Sequence, residues 1–234
     1  MSNRIIIKSF SKMAAKLAVT LRQKDYYIII IEENKNLIEE ATALGYEVKN
    51  ISLMKDENII EVGLTQKDLK AFFCMGNDKS RNLFITLSVR NLNKDIKIIA
   101  LSSSKEDNKT LLLAGANKTI NPYEIGALRI FRSLHKPLVL EVLDNILFSK
   151  SDIQISEITI KKGSVFDGVS LIDLKRIGDN NDIIILGITD KEISDSFIFL
   201  SLGINHIIDN GDIIVILGRS HHLKKFKSEL NHII

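Results

Sequence analysis

The sequence comprises 234 residues, of which 45% are hydrophobic and 26% charged, with a formal net charge of +3. This composition predicts a water-soluble globular protein, long enough for one large domain or two modest ones. The small positive charge excludes the dense basic surface of nucleic-acid-binding proteins, and no apolar stretch reaches the roughly 18 residues that cross a membrane. The single cysteine, Cys74, excludes an internal disulfide. We therefore expect a cytoplasmic protein that binds no nucleic acid.

Short apolar runs in the first half of the chain predict the strands of a parallel sheet. The runs are continuous rather than alternating, which is typical of strands covered by helices on both faces. We predict six such strands, over residues 4–8, 26–32, 47–51, 71–75, 96–101 and 118–120.

Apolar residues at spacings of three and four lie between these strands and predict helices. The stripes comprise Ala14, Leu17, Ala18 and Leu21, then Leu37, Ile38, Ala41 and Leu44, then Leu83, Phe84 and Leu87, and finally residues 111–113. Gly45 follows the second stripe, where a left-handed helix cap is expected. The alternation of strand and helix predicts an α/β fold, a Rossmann-like doubly wound parallel sheet.

Two consecutive helices are predicted after the sixth strand. Pro122 and Pro137 each stand where proline opens a helix, so we expect helices over residues 122–134 and 137–148 with no strand between them. Their apolar faces have no sheet left to cover, which favours burial against a second copy of the chain. The residues concerned are Ile125, Leu128, Phe131, Val139, Val142, Leu143 and Leu147.

The last third of the sequence predicts a small α+β domain. DIQISEITI alternates apolar and polar residues, as a half-exposed antiparallel strand does. DIIILGIT and DIIVILG predict further strands, the second after the turn sequence of residues 209–211. Ser220 opens a polar terminal helix. We expect a Rossmann-like domain over residues 1–121, crossing helices over 122–148 and a C-terminal domain over 149–234.

The turn after the first strand, residues 9–14, lies where dinucleotide-binding proteins carry a glycine fingerprint, yet it contains no glycine. Ser9, Ser11 and Lys12 face the carboxyl ends of the strands, and Lys12 with the helix N-terminus suits a phosphate. Glu32 ends the second strand, where an acid binds ribose. The Ser, Phe and Ala side chains are expected to obstruct a pyrophosphate. The alternative is a plain serine helix cap beside a solvated Glu32–Glu33 pair. We predict weak binding of an adenine nucleotide, with NAD less favoured.

Catalytic motifs are lacking. The sequence has no Walker loop, no Gly-x-Ser-x-Gly and no His-Glu-x-x-His, and Cys74 falls in a predicted buried strand. The adjacent His221 and His222 point about 100° apart on a helix and cannot pair on a metal. We therefore predict neither catalytic residues nor a metal site.

Several stretches together resemble the RCK family, the regulators of potassium conductance, which consist of a TrkA-N and a TrkA-C domain. LLLAGANKTINPYEIGALRIFR is close to the family's Gly-Ala-Asp/Asn-x-Val/Ile-x-Ser-Pro-Tyr-x-Ile-Gly signature. MGNDKSRNLFITLSVRNLNKDIKIIALSSS resembles its fourth strand, following helix and fifth strand, and KPLVLEVLDNILF its crossing helix. ITIKKGSVFDGVSLIDL and NHIIDNGDIIVILGRSHHLKKF resemble the TrkA-C domain.

The resemblance implies a cytosolic regulator of potassium flux at the inner membrane. Such domains dimerise through the two helices after the sixth strand, assemble into an octameric ring and pull on a membrane pore when a ligand binds. We expect the gating ring of a potassium channel, and the alternative is a peripheral subunit of a Trk/Ktr-type potassium transporter. An oxidoreductase or sugar-nucleotide enzyme and a transcriptional repressor are less favoured, the last because no helix-turn-helix precedes the first strand.

The sequence also departs from the family's pattern. Residues 9–14 keep only the basic residue of its Gly-x-Gly-Arg-x-Gly turn, and Ser52 stands where relatives carry an aspartate. Asn77 and Asp78, after the fourth strand, complete the candidate nucleotide-binding residues. Calcium-gated relatives place acids after the fifth strand, where Leu101 and Ser103 offer no carboxylate, so we expect no calcium site there.

Overall fold

The computed structural model describes residues 3–147, 152–190, 192, 196–202 and 206–230. They form two compact units, Met1–Phe131 and Arg132–Ile234. The three predicted domain boundaries stay predictions, since this division falls inside a helix. Within the described residues, no helix combines the length and apolar character that crossing a membrane requires.

The first unit is a six-stranded parallel sheet with helices on both faces. The strands are β1 (Asn3–Lys8), β2 (Tyr26–Ile31), β3 (Glu47–Lys49), β4 (Leu69–Cys74), β5 (Lys97–Leu101) and β6 (Lys118–Ile120). The helices are α1 (Lys12–Arg22), α2 (Lys35–Ala43), α3 (Asp56–Glu61), α4 (Lys79–Leu92), α5 (Lys105–Leu113) and α6 (Pro122–His135), which runs past the end of the unit. The strand order β3-β2-β1-β4-β5-β6 confirms the Rossmann-like doubly wound sheet.

Two apolar layers sandwich this sheet. On one face Ile5 and Ile7 of β1 pack with Phe10, Ala14 and Ala18, beside and within α1. The opposite layer contains residues of β1, β4, α3, α4 and α5, including Ile6, Phe72, Ile59, Ile85 and Leu111. Because helices cover both faces, neither face of a central strand needs polar side chains, which explains the continuous apolar runs.

Two local predictions in this unit were incomplete or wrong. Helix α3 was not predicted. In α4, the expected apolar stripe of Leu83, Phe84 and Leu87 is not the buried face, because Phe84 and Leu87 are exposed whereas Ile85 and Val89 are buried. Apolar residues lie on both sides of this helix, so spacing alone did not identify the side that meets the sheet.

Helices α6 and α7 (Pro137–Leu147) follow the sheet directly, as the two prolines predict. None of their described residues is buried. The expected interface residues are between 40% and 58% exposed, namely Ile125, Leu128, Phe131, Val139, Leu143 and Leu147. Phe148, predicted to end the second helix, lies outside the described residues.

The second unit contains a four-stranded antiparallel sheet in the order β7-β10-β8-β9. Its strands are β7 (Ile153–Thr159), β8 (Ile183–Thr189), β9 (Phe197–Phe199) and β10 (Ile213–Arg219). Its further helices are α8 (Leu171–Asn180) and α9 (Ser220–Leu230). The α+β prediction is confirmed, although α8 and β9 were not predicted individually. Phe166 and Phe226 pack in its core with ring centroids 5.3 Å apart.

Candidate functional site

The candidate site lies at the carboxyl ends of β1, β2 and β4. Chain order reverses between β1 and β4, which are neighbours in the sheet, and ligands of doubly wound sheets bind in the crevice at that point. The turn of residues 9–11 connects β1 to α1 at this edge. Every contact described below lies within the first unit.

The turn keeps a glycine-like backbone without a glycine. Ser9 has a φ of 76°, in the left-handed region that glycine adopts at little cost. Its N–H donates to the carbonyl of Ile31 at 2.9 Å, which ties the turn to β2. Ser11 caps α1, because its hydroxyl accepts the N–H of Ala14 at 3.3 Å. The serine-cap part of the alternative interpretation is therefore confirmed.

Two of the side chains expected to obstruct a pyrophosphate lie elsewhere. Phe10 is 1% exposed and Ala14 is fully buried, both in the core beneath α1. The Phe10 ring packs on Tyr46, with the ring centroids 6.0 Å apart. The expectation that they block the cleft was wrong, because this turn directs both inward. Ser11 is half-buried beside the cleft, and Lys12 is exposed at the first turn of α1.

The Glu32 carboxylate is buried against the turn, which corrects the interpretation of a solvated acid. One oxygen accepts the N–H of Phe10 at 2.8 Å, and the other accepts those of Glu33 and Asn34 at 2.8 and 3.0 Å. Burial alone would raise the pKa of Glu32, but these three backbone donors and the Lys8 charge outweigh it and hold the pKa below its ordinary value. Glu32 thus acts as an anion bound by the turn.

Glu33 joins two cations, one from strand β1 and one from helix α4. Its carboxylate lies 3.2 Å from Lys8 Nζ and 3.0 Å from a guanidinium nitrogen of Arg81. Lys8 is the last residue of β1 and is 7% exposed, while Arg81 lies in the first turn of α4. Partial burial alone would raise the pKa of Glu33. The hydrogen bonds and charges of Arg81 and Lys8 outweigh this effect and hold the pKa below its ordinary value.

Asn82 organises the other side of the crevice. Its side-chain amide donates to the carbonyl of Gly76 at 2.7 Å and that of Leu101 at 3.4 Å, so it ties α4 to the ends of β4 and β5. A Cβ on Gly76 would lie 2.8 Å from Asn82 Oδ1, which explains the glycine. Asn77 lines a pocket of about 130 Å³ beside these residues, together with Lys79, Ser102, Ser103, Asp107 and Tyr123.

Polar and thiol side chains near this edge make structural contacts within the chain. Asp78 caps α4 by accepting the N–H of Arg81 at 3.0 Å, and Ser103 donates to Asp107. Among the residues that the structure describes, no group of three or more His, Cys, Asp or Glu side chains could hold a metal ion. Cys74 is buried, and desolvation raises its pKa to about 12, so its thiol is unreactive.

Sequence reasoning missed three residues that build this edge: Lys8, Arg81 and Asn82. It named Glu33 only as a solvated acid, whereas the structure pairs it with two cations. Lys8 carried one weak signal, since it is the charge that ends the apolar run of β1. The partners of Arg81 and Asn82 are distant in the sequence, so no local pattern indicated their contacts.

Family models match both units of the chain. A TrkA-N domain model matches residues 5–122 and a TrkA-C domain model matches residues 155–231. The chain belongs to the RCK family. The resemblance inferred from the sequence is therefore confirmed.

Two curated proteins similar to this chain are named as potassium channel proteins. "Potassium channel protein 1" of Methanocaldococcus jannaschii is 25% identical over 97% of the chain, and "Probable potassium channel protein 2" of the same organism is 26% identical over 96%. The RCK chain spans 66% of the length of each of these two proteins.

Solved structures share the fold at low sequence identity. The human SLO3 gating ring matches 95% of this chain and 45% of its own, with a TM-score of 0.72 and 13% identity. The GsuK RCK domain matches 97% of this chain and 46% of its own, with a TM-score of 0.51 and 18% identity. A GsuK channel structure bound to NAD matches 98% of this chain and 38% of its own, with a TM-score of 0.52 and 17% identity.

Proposed function

We propose that this chain is the cytosolic gating-ring domain of a potassium channel, which controls potassium flux in response to a ligand. The observation that carries the proposal is the match, over nearly the whole chain, to two proteins named as potassium channels. The extent of those relatives beyond the matched region leaves room for a pore. The order of a TrkA-N and a TrkA-C domain, with two crossing helices between them, supports a regulatory role.

The proposed ligand is an adenine nucleotide bound at the turn after β1. Ser9, Ser11 and the free amides at the start of α1 face the carboxyl edge, and Lys12 adds a cation for phosphate. Glu32 holds the turn through Phe10, and its place beside β2 suits a ribose hydroxyl. Asn77 lines the pocket across the crevice. The fold similarity to a GsuK channel structure that contains NAD supports a nucleotide, although this turn lacks the glycines that favour NAD.

The proposed assembly is a homodimer through α6 and α7, with dimers forming an octameric ring against the pore. Eleven large apolar side chains on these helices are exposed, far more than a monomer surface favours. They are Tyr123, Ile125, Leu128, Ile130, Phe131, Leu134, Leu138, Val139, Val142, Leu143 and Leu147. A second copy of the chain presents a matching face because the two surfaces are identical.

Calorimetric titration of the purified chain with ATP, ADP, AMP and NAD tests ligand binding. We expect weak, adenosine-selective binding that Lys12→Glu abolishes and that Lys24→Glu, a charge reversal in the loop after α1, leaves unchanged. Submicromolar NAD binding would contradict the proposed preference, and the absence of binding by all four would contradict the nucleotide site.

Growth of a potassium-uptake-deficient bacterium at low potassium tests the function. The chain, expressed together with the pore that it is proposed to regulate, is expected to alter growth relative to the pore alone. Identical growth with and without the chain, at equal expression of the pore, would contradict regulation of potassium flux.

A further inference from the structure

Lys8, Glu33 and Arg81 form an ion-pair cluster across the crevice of the sheet. Lys8 ends β1, Glu33 follows β2 and Arg81 lies at the start of α4, which follows β4. Since β1 lies between β2 and β4, the Glu33–Arg81 contact passes over the carboxyl end of β1. This is the strand end over which the phosphates of a nucleotide lie in doubly wound sheets.

The two cations of the cluster are suited to an oxyanion. Lys8 is 7% exposed, and a buried ammonium group is stable only beside a compensating negative charge. The guanidinium of Arg81 accommodates carboxylate and phosphate oxygens alike, because both present paired acceptors to its planar donors. Glu33 supplies that oxyanion in the chain itself, at 3.2 Å from Lys8 and 3.0 Å from Arg81.

Glu33 is held differently from its neighbour Glu32. The Glu32 carboxylate accepts three backbone N–H groups and is 6% exposed, so it is fixed to the turn. The Glu33 contacts with Lys8 and Arg81 involve side chains alone, and its side chain is 31% exposed. Rotation of the Glu33 side chain into water therefore frees both cations without disturbing the backbone.

We propose that Lys8 and Arg81 bind the diphosphate of an adenine nucleotide in this crevice. In the free chain the Glu33 carboxylate occupies the diphosphate position as an internal occupant, and the bound nucleotide displaces it. The inference deepens the proposed nucleotide function and rests on it. A diphosphate carries more charge than one carboxylate and reaches both cations at once. The internal carboxylate competes with it, which keeps nucleotide binding weak and reversible.

Titrations of ADP and of inorganic pyrophosphate into wild-type and Glu33→Gln chains test this competition. The glutamine preserves the size and polarity of the side chain but removes its charge. We expect Glu33→Gln to bind ADP and pyrophosphate about two- to fivefold more tightly than wild type, the range that loss of one competing ion pair represents. Adding Arg81→Gln to Glu33→Gln is expected to reverse the gain.

Asp68→Asn is the matched control. Asp68 pairs with Arg4, also a residue of β1, at 3.2 Å, but at the opposite end of the strand. The Asp68→Asn substitution removes the same charge from a comparable ion pair, and we expect no change in the affinity for ADP or for pyrophosphate. Thermal unfolding of each variant verifies that it is folded.

The outcomes separate the two proposals. If wild type binds ADP but Glu33→Gln binds it equally or more weakly, the occupant inference is wrong while the nucleotide function stands. Binding by Glu33→Gln alone supports the inference and indicates that Glu33 closes the wild-type site. Tighter pyrophosphate binding without tighter ADP binding overturns the assignment to a nucleotide. Absence of binding by every variant overturns both proposals.

Discussion

The carboxyl edge of the parallel sheet and the helix pair α6–α7 differ in how far the chain itself provides contacts for their side chains. At the sheet edge, polar groups that could meet a ligand already have partners, because Glu32 accepts the amides of the turn and Glu33 pairs with Lys8 and Arg81. On the helices, large apolar side chains remain exposed within the single chain.

This difference distinguishes the two kinds of binding expected of the molecule. A ligand at the sheet edge must replace contacts that the chain makes with itself, so its net affinity is small and its binding changes the local structure. A partner on the helices covers apolar side chains that are exposed in the single chain, so association there gains hydrophobic free energy. The proposed ligand site is thus suited to sensing, and the proposed dimer interface to lasting assembly.

The largest expected effect is on assembly. Leu128 is 47% exposed on α6, and Leu128→Asp would place a charge in the proposed dimer interface. We expect monomers or aggregates in analytical ultracentrifugation, since loss of a buried leucine costs on the order of 2–5 kcal/mol per site. Ile60→Asp, at an equally exposed position on α3, is the control and should remain dimeric. A stable Leu128→Asp dimer would show that the interface lies elsewhere.

The next largest effect is expected at Glu32. Glu32→Ala leaves the N–H groups of Phe10, Glu33 and Asn34 without their acceptor in a buried environment. We expect it to lower the free energy of unfolding by about 2–4 kcal/mol, because buried donors without partners are costly. Glu39→Ala, on the exposed face of α2, should change it little. Equal stability of the two variants in urea unfolding would mean that the turn does not depend on Glu32.

Acid should weaken the same edge. The pKa values of Glu32 and Glu33 lie below the ordinary glutamate value of 4.5 in the folded chain. Their contribution to stability is therefore complete above pH 4.5 and is lost as the pH falls through the lower folded values, because the unfolded chain binds protons first. We expect Glu33→Gln to reduce the acid slope of the free energy of unfolding. An unchanged slope would indicate that Glu33 is not ion-paired in solution.

The smallest effect is expected at Ser9. Its φ of 76° favours glycine, so Ser9→Gly should raise the free energy of unfolding by about 0.5–1 kcal/mol. Ser11→Gly, two residues on, should lower it by a few tenths of a kcal/mol because it removes the cap of α1. Destabilisation by Ser9→Gly in thermal unfolding would show that the serine side chain stabilises the turn.

The sheet of the first unit was predictable because its signals are local. The apolar run of β1 and the left-handed Gly45, whose φ is 79°, each follow from a few adjacent residues. The exposed helix pair was predictable for the same reason, since Pro122 and Pro137 mark both helix starts. The strand bounds were predicted less well, as β4 begins at Leu69 rather than at residue 71.

The site was predictable only in its position. The sequence indicates the turn of residues 9–14, but not that Phe10 lies in the core next to the left-handed Ser9. The partner of Glu33, Arg81, is 48 residues away, and only the strand order brings them together. Contacts between distant residues depend on tertiary structure, which local patterns do not specify.

The central claim is that a nucleotide at the turn after β1 controls potassium flux. Rubidium flux into liposomes tests it most directly, with the chain and its proposed pore reconstituted together as one polypeptide or two. We predict that ADP changes the flux through the wild-type protein and has no effect on the Lys12→Glu variant, while the basal flux of the two is alike. A flux that does not respond to ADP in the wild type, or responds equally in both, would contradict the account.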